Sequence, residues 1–119
     1  TSMRHGALDA RGDVTSTGEI TAYSDIRLKT NIELIPDALG KVLQLRGVTF
    51  TRIDSGIHAT GLIAQEVQKV LPQAVKEAPE GDILTVNYGS MVGLLVESIK
   101  ELKAELDAVK AELAELRGK

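Results

Sequence analysis

A heptad pattern in the last third of the chain constrains the fold more than any other feature. Apolar side chains recur there at alternating steps of three and four residues: Val92, Leu95, Ile99, Leu102, Leu106, Val109, Leu113 and Leu116. This spacing places them on one narrow stripe of an α-helix, with alanine and charged residues on the other faces. The pattern predicts a coiled-coil helix over 91–119, and the alternative is one amphipathic helix packed on its own domain.

Charged residues flank this heptad stripe in two registers. Glu105 and Glu112 lie on one side, and Lys103, Lys110 and Arg117 lie on the other. In a parallel arrangement Glu105 meets Lys110 of the neighbouring helix, and Glu112 meets Arg117 in the same way. Leu at one core position with Leu or Val at the other does not fix the number of helices. The stripe alone therefore predicts an oligomer of undetermined size.

The composition argues against several classes of function. Only one Phe, two Tyr and no Trp occur in 119 residues, so the core must be mainly aliphatic. The net charge is -3 and the basic residues are spread along the chain, which does not favour nucleic acid or an anionic membrane. The absence of Cys excludes disulfides and thiolate metal sites, and no apolar run is long enough to span a bilayer. We expect no nucleic-acid or membrane partner, no metal and no cofactor.

The first 23 residues are rich in Gly, Asp, Ser and Thr. Regularly spaced glycines predict turns between very short strands, at 13–16 and 19–22. Such strands carry one or two apolar side chains each and cannot form a core alone. The segment is therefore expected to be either disordered or the end of a larger β-structured stalk whose partners are other chains.

Helix signals begin at residue 24. Ser24 or Asp25 can cap a first helix, and Pro36 with Asp37 can start a second one that ends near Leu45. A further amphipathic helix is predicted over 62–71, where Pro72 ends it. The second helix is expected to bury Leu39, Val42, Leu43 and Leu45.

Strand signals lie between and after these helices. Apolar and polar residues alternate over 48–53, and a second short strand is predicted over 57–61. Turn residues between 74–77 and 83–88 predict a hairpin, which is expected to extend the sheet begun at Val48. The predicted fold class is α+β, a small mixed domain over 24–90 that continues into the long C-terminal helix.

Ser24 and Lys29 are the one pair in the chain that suggests covalent chemistry. A serine hydroxyl becomes an effective nucleophile when a base takes its proton, and a lysine amine can be that base. On an α-helix five residues turn by about 500°, which leaves the two side chains roughly 140° apart. Either Ser24 lies outside the helix while Lys29 folds back, or the lysine comes from another subunit. Spacing alone favours Ser24 as a simple helix cap.

The histidines offer little support for a Ser/His/acid triad. His5 and His58 are the only two in the chain, so such a triad would have to use one of them. His5 lies in the turn-rich beginning and His58 at a predicted turn or strand start. Both are expected to be exposed or structural.

Several motifs, in order, carry a resemblance to a known family. They are Tyr23-Ser24-Asp25-Ile26-Arg27-Leu28-Lys29-Thr30-Asn31-Ile32, then Gly61-Leu62-Ile63-Ala64-Gln65-Glu66-Val67 with Leu71-Pro72-Gln73-Ala74-Val75, and Val86-Asn87-Tyr88 before the heptad helix. Together they resemble the C-terminal intramolecular chaperone domain of phage tail spikes and tail fibres. This is a self-cleaving serine endopeptidase family that also includes part of myelin regulatory factor. The resemblance covers about 19–102.

The resemblance implies a function and a location. Three chains would associate through a parallel trimeric coiled coil and hold a fibre in register while it folds. The domain would then cut the bond between Tyr23 and Ser24, with Ser24 as nucleophile and Lys29 as general base. It implies a virion tail fibre precursor assembled in the host cytoplasm, whose partners are its own copies and the upstream fibre stalk.

The resemblance also divides the chain. Residues 1–23 would be the released end of the stalk, 24–90 the chaperone and autoprotease domain, and 91–119 the trimerisation helix. Asp25 and Arg27 match the first motif without an assigned catalytic role. Gly61, Gln65 and Glu66 match the second motif and are expected to make packing or subunit contacts near the site.

Two alternatives remain at this point. The first is a structural trimerisation module of the same fold that does not cleave, in which Ser24 only caps a helix. The second is a dimeric coiled-coil adaptor unrelated to phage. A denaturing gel separates the first from the self-cleaving chaperone, and a mass in solution separates the second.

Overall fold

The computed structural model describes residues 8–79 and 81–118, so His5 lies outside the described residues. The chain divides into two units between Ile32 and Glu33. The first contains the Ser24 motif, and the second contains the remaining helices and strands.

Regular structure in the first unit is confined, within the described residues 8–32, to a short 3-10 turn, Ile26–Leu28. The segments 13–16 and 19–22, predicted as short strands, form no strand in the single chain, because each has too few apolar side chains to form a sheet without a partner. The helix expected after Ser24 is also wrong. Lys29 has an extended backbone and Asn31 has a φ of 51°, so the turn cannot continue as a helix.

The second unit has the predicted mixture of helices and strands. Its elements are α1 (Ala38–Val42), β1 (Val48–Thr51), β2 (His58–Gly61), α2 (Ala64–Val70), β3 (Val75–Glu77), β4 (Leu84–Val86) and α3 (Met91–Arg117). One short 3-10 turn, Pro72–Ala74, follows α2, and another, Tyr88–Ser90, comes directly before α3. The α+β class is confirmed. Among the described residues no helix has the length and apolar content to cross a membrane.

The strands form two separate antiparallel hairpins. In one, Val48 of β1 lies opposite Gly61 of β2, and in the other, Val75 of β3 lies opposite Val86 of β4. The prediction that the second hairpin extends the first sheet is wrong, since each sheet has two strands. The second hairpin instead packs against α2.

An aliphatic core joins α1, α2 and the beginning of α3. The buried apolar residues are Ala38, Val67, Val70, Leu71, Ala74, Met91 and Leu94. Val42 and Leu45 pack against this cluster as predicted, but Leu43 is 75% exposed. Leu43 is the residue at which α1 ends, so the helical periodicity that predicted its burial no longer applies there.

The long helix α3 has two different faces. Met91, Leu94 and Ser98 are its buried residues, and they belong to the face that packs on α1 and the core. The heptad stripe lies on another face, where its members are 45–67% exposed. At about 1.5 Å per residue the 27 residues of α3 extend over about 40 Å. The predicted long helix is confirmed, and so is an apolar stripe that its own chain leaves uncovered.

Candidate active site

The Ser24 motif folds into a tight turn that is closed by local hydrogen bonds. The carboxylate of Asp25 accepts the backbone N–H of Arg27 at 2.8 Å, so Asp25 is the capping residue and Ser24 is not. The N–H groups of Leu28 and Lys29 donate to the carbonyls of Asp25 and Ile26, at 3.0 and 3.1 Å. The Ser24 hydroxyl therefore lies just before the turn and takes no part in capping it.

This turn brings the side chains of Ser24 and Lys29 together in one chain. The Nζ of Lys29 donates a hydrogen bond to the Oγ of Ser24 at 2.6 Å. The separation of roughly 140° applies to an α-helix, whereas here a 3-10 turn is followed by an extended Lys29. Of the two arrangements considered above, the structure has the one in which Lys29 folds back on Ser24. Both residues are exposed.

Arg27 is held by the same carboxylate that caps the turn. Its Nε and Nη2 donate to the two oxygens of Asp25 at 3.0 and 2.9 Å. The Arg27 side chain lowers the pKa of Asp25 below its usual value, and Asp25 raises the pKa of Arg27. Asp25 thus carries a full negative charge at neutral pH and neutralises Arg27.

The bond proposed for cleavage is open to solvent. The Tyr23 side chain is 96% exposed, and a shallow surface concavity is lined by Tyr23, Ser24, Asp25, Arg27 and Leu28. Water can reach both sides of the Tyr23–Ser24 bond in the single chain.

Gly61, from the second motif, lies where a side chain would not fit. The Tyr88 hydroxyl accepts the backbone N–H of Leu62 at 3.0 Å, and a Cβ on Gly61 would lie 2.6 Å from that hydroxyl oxygen. Gly61 therefore serves the contact between the end of β2 and Tyr88. The sequence predicted a packing role for Gly61, while the role of Tyr88 was missed because the residues are far apart in the chain.

Glu66, also from the second motif, forms an ion pair with Arg46. The guanidinium donates to Oε2 of Glu66 at 3.0 Å from Nε and 2.5 Å from Nη2, and it lowers the pKa of the carboxyl. Oε1 of Glu66 is buried and has no hydrogen-bond partner among the described residues. Gln65 is exposed and lines a groove between β1 and β4. These three motif residues lie in the second unit, whereas Ser24 and Lys29 lie in the first.

Glu101 of α3 caps α1, a contact that the sequence did not predict. Its two carboxylate oxygens accept the N–H groups of Ala38 and Leu39, each at 2.9 Å. Asp37, the residue just before α1, has a left-handed backbone and makes no capping bond. The two N–H bonds lower the pKa of Glu101 below its ordinary value of 4.5. Since 62 and 63 residues separate the partners, no local pattern could have shown this contact.

His58 has the structural role expected of it. It is exposed, and its Nδ1 lies 3.1 Å from Oγ1 of Thr51 across the β1–β2 hairpin. Within residues 8–79 and 81–118 no three His, Asp or Glu side chains are grouped as metal ligands would be. The described part of the chain offers the Ser24 and Lys29 pair as its candidate for chemistry.

The comparison with known families gives the class of this domain. Residues 24–76 match the sequence model of the family described as "Chaperone of endosialidase", also called Peptidase_S74. The matched segment begins at Ser24 and includes Lys29 and the second motif. Residues 24–76 are therefore similar to the chaperone-of-endosialidase family, and the resemblance stated above is confirmed.

Individual relatives point in the same direction. The chain is 37% identical over 115 residues to long tail fiber protein Gp37 of Enterobacteria phage K3, a match that covers 86% of this chain and 9% of the relative. It is 35% identical over 104 residues to Gp37 of Enterobacteria phage M1, covering 80% and 41%. Myelin regulatory factor homolog 1 of Caenorhabditis elegans is 36% identical over 107 residues, covering 80% and 11%. The chain spans less than half of each of these relatives, and the matches support a chaperone associated with a fibre protein.

Proposed function

We propose that the chain is an intramolecular chaperone that trimerises and registers a phage tail fibre or spike, then removes itself by cutting between Tyr23 and Ser24. The observation that carries this proposal is the 2.6 Å contact between Lys29 and Ser24, immediately beside that bond. A nucleophile and a base within hydrogen-bond reach are the minimum that serine acyl chemistry needs. No cofactor takes part in the proposed reaction.

The proposed reaction uses one proton-accepting amine and one hydroxyl. When the Lys29 amine is neutral, the Ser24 hydroxyl donates to it. Oγ attacks the carbonyl carbon of Tyr23 while Lys29 takes the hydroxyl proton. The bond between that carbon and the Ser24 nitrogen breaks, the nitrogen takes the proton, and an ester links Tyr23 to Oγ. Water then hydrolyses the ester, leaving a carboxylate on Tyr23 and an amine on Ser24.

Exposure of the pair supports a link between cleavage and assembly. Ser24 and Lys29 are exposed in the single chain. Burial disfavours the charged form of an amine and favours the neutral form that can act as a base. A neighbouring chain that covers the pair would supply this burial. In this proposal the cut therefore follows the meeting of the chains.

The trimer itself is supported by the exposed heptad stripe and its flanking charges. Each fully buried aliphatic side chain contributes about 1.5–3 kcal/mol, and the stripe runs along most of α3. Parallel helices also bring Glu105 opposite Lys110 and Glu112 opposite Arg117. Joining the chains in this way raises the local concentration of the upstream stalk segments, which lowers the entropic barrier to their pairing. The proposed division is a stalk end at 1–23, a domain at 24–90 and a trimerisation helix at 91–119.

A denaturing gel tests the cleavage. The purified trimeric chain should give fragments of 23 and 96 residues, the whole being 119. Ser24→Ala and Lys29→Ala should each stay whole. Ser16→Ala and Lys41→Ala make matched controls, because each removes the same side chain elsewhere, and both should be cut like wild type. Hydroxylamine, which attacks esters, should speed the cut of wild type and leave Ser24→Ala whole.

The competing proposal is a structural trimerisation module that does not cleave. It is favoured by the heptad stripe, which needs no chemistry at Ser24. A trimer whose chains remain whole, at neutral pH and after prolonged incubation, would support this module and overturn the enzymatic proposal. A dimer mass in solution would contradict both.

A further inference from the structure

Asp25 lies between the two proposed catalytic residues, and its carboxylate makes three of the hydrogen bonds that shape their turn. It accepts the N–H of Arg27 at 2.8 Å, the Nε at 3.0 Å and the Nη2 at 2.9 Å. We propose that Asp25 is a positioning residue, whose carboxylate folds the turn that holds Lys29 against Ser24. This inference rests on the proposed self-cleavage.

The distance between the two reacting groups depends on this turn. An extended chain carries Cα atoms five residues apart to about 17 Å, too far for a lysine side chain to reach back easily. The turn at Ile26–Leu28 shortens this path, and Lys29 then leaves it with an extended backbone. The outcome is the 2.6 Å separation of Nζ and Oγ. Without the turn, the pair would meet only occasionally.

Little other than hydrogen bonding holds the turn in the single chain. None of its residues, Ile26 to Leu28, is buried. Its backbone bonds, from Leu28 and Lys29 to the carbonyls of Asp25 and Ile26, are too few to be stable alone, because fixing several dihedrals for each first bond is unfavourable. A side-chain cap is therefore decisive here, and Asp25 supplies it.

Two roles for the carboxylate can be distinguished by their chemistry. As a cap, it needs only an oxygen that accepts the Arg27 N–H, and asparagine supplies one equally well. As a charge, it neutralises Arg27, and asparagine cannot do so. The positioning role therefore predicts that Asp25→Asn keeps most of the activity that Asp25→Ala loses. A role through charge predicts that both variants lose it.

The chain contains a matched control for the ion pair. Asp54 accepts the Nε and Nη2 of Arg52 at 3.0 and 2.8 Å in the turn between β1 and β2, a pair with the same two-residue separation and the reverse chain order. That turn belongs to the second unit, away from the Ser24 motif in sequence. Asp54→Ala removes an equivalent pair without touching the proposed site.

The experiment measures the first-order rate of self-cleavage of the full chain on denaturing gels, from pH 6 to pH 9. Asp25→Ala should cleave about fivefold more slowly, because the loss of one helix cap lowers the population of the folded turn by about that factor. Its pH dependence should keep the shape of wild type, because the base is unchanged. Asp25→Asn should stay within about twofold of wild type. Asp54→Ala should match wild type, and all variants should keep the trimer mass.

A second measurement does not depend on cleavage. Amide hydrogen exchange at Arg27 is followed in the Lys29→Ala background, where the chain stays whole. Exchange at Arg27 should be about fivefold faster in the Asp25→Ala variant than in the chain with Asp25 or in the Asp25→Asn variant. Three results would each overturn the positioning role. They are a cleavage rate of Asp25→Ala equal to that of wild type, equal losses of cleavage rate in Asp25→Ala and Asp25→Asn, and an exchange rate at Arg27 that Asp25→Ala leaves unchanged. An uncut wild type with exchange behaving as expected would instead refute the proposed function and leave the turn assignment intact.

Discussion

The first third of α3 and the rest of the same helix are stabilised in different ways. From Met91 to Glu101 the helix packs on the core and caps α1, and Leu94 there is fully buried. Beyond that point the apolar stripe continues, but Leu106 and Leu113 remain 47% and 45% exposed. One helix thus joins a part that its own chain buries to a part whose apolar stripe its own chain leaves exposed.

This difference separates folding from association within one element. A substitution on the packed face should act on a single chain at any concentration. A substitution on the heptad stripe should act through the equilibrium between chains and depend on dilution. Substitutions at neighbouring residues of α3 therefore distinguish an effect on folding from an effect on association.

The largest effect is expected at Leu94. Leu94→Ala leaves a cavity in the core and should lower the free energy of unfolding by about 2–5 kcal/mol, measured by chemical denaturation. Leu95→Ala, one residue further and on the stripe, is the control. It should shift the unfolding midpoint less, and mainly at low protein concentration. Equal, concentration-independent losses at both positions would mean that the two faces are not distinct.

The next effect concerns association through the exposed part. Leu106→Ser removes a side chain that contributes about 1.5–3 kcal/mol per chain when buried, which weakens assembly by more than tenfold. Sedimentation equilibrium should show smaller species at micromolar concentration, while the second unit stays folded. Ala104→Ser places the same hydroxyl outside the stripe and should leave the mass unchanged. A full-size oligomer for Leu106→Ser would remove the stripe from the interface.

A smaller effect, dependent on pH, is expected where Glu101 caps α1. Its pKa is lowered in the folded chain below the ordinary 4.5, so its stabilisation is present above that value and is lost as the pH falls through the lowered one. Glu101→Gln should therefore melt below wild type at pH 7, and the gap should narrow towards pH 3. Glu77→Gln removes the same charge from an exposed position at the end of β3. The difference between its melting temperature and that of wild type should not narrow in this way as the pH falls.

The smallest effect is expected from the charges beside the stripe. Glu105→Lys replaces an attraction to Lys110 with a repulsion, which should weaken association by a small factor that added salt reduces. Adding Lys110→Glu exchanges the pair and should restore the wild-type mass distribution. Failure of the double variant to recover would argue against a parallel, in-register arrangement of the helices.

Periodicity predicted α3, α2 and both hairpins, because these elements are decided by residues close in sequence. Even so, α1 and β1 are shorter than expected, since local patterns do not determine where an element ends. The two faces of α3 also escaped prediction. Leu94 and Ser98 each precede a residue of the stripe by one position, and only the packing of α1 reveals that they are buried.

The candidate site shows the same division. Ser24 and Lys29 were identified as residues, and folding back of Lys29 on Ser24 was one of the two arrangements considered, but the 3-10 turn that brings them together was not predicted. Asp25 rather than Ser24 caps the turn, because a carboxylate there reaches both the N–H and the guanidinium of Arg27. The cap from Glu101 lay outside any local signal, since it depends on how the chain returns on itself.

The contact between Ala38 and Glu101 also sets an order of events during synthesis. The ribosome must add 63 further residues after Ala38 before its capping partner exists. At about 5–20 residues per second this takes roughly 3–13 s. Until then α1 lacks its cap, and Leu94 joins the chain only seven residues before Glu101. The second unit can therefore close only after the chain has been made at least as far as Glu101.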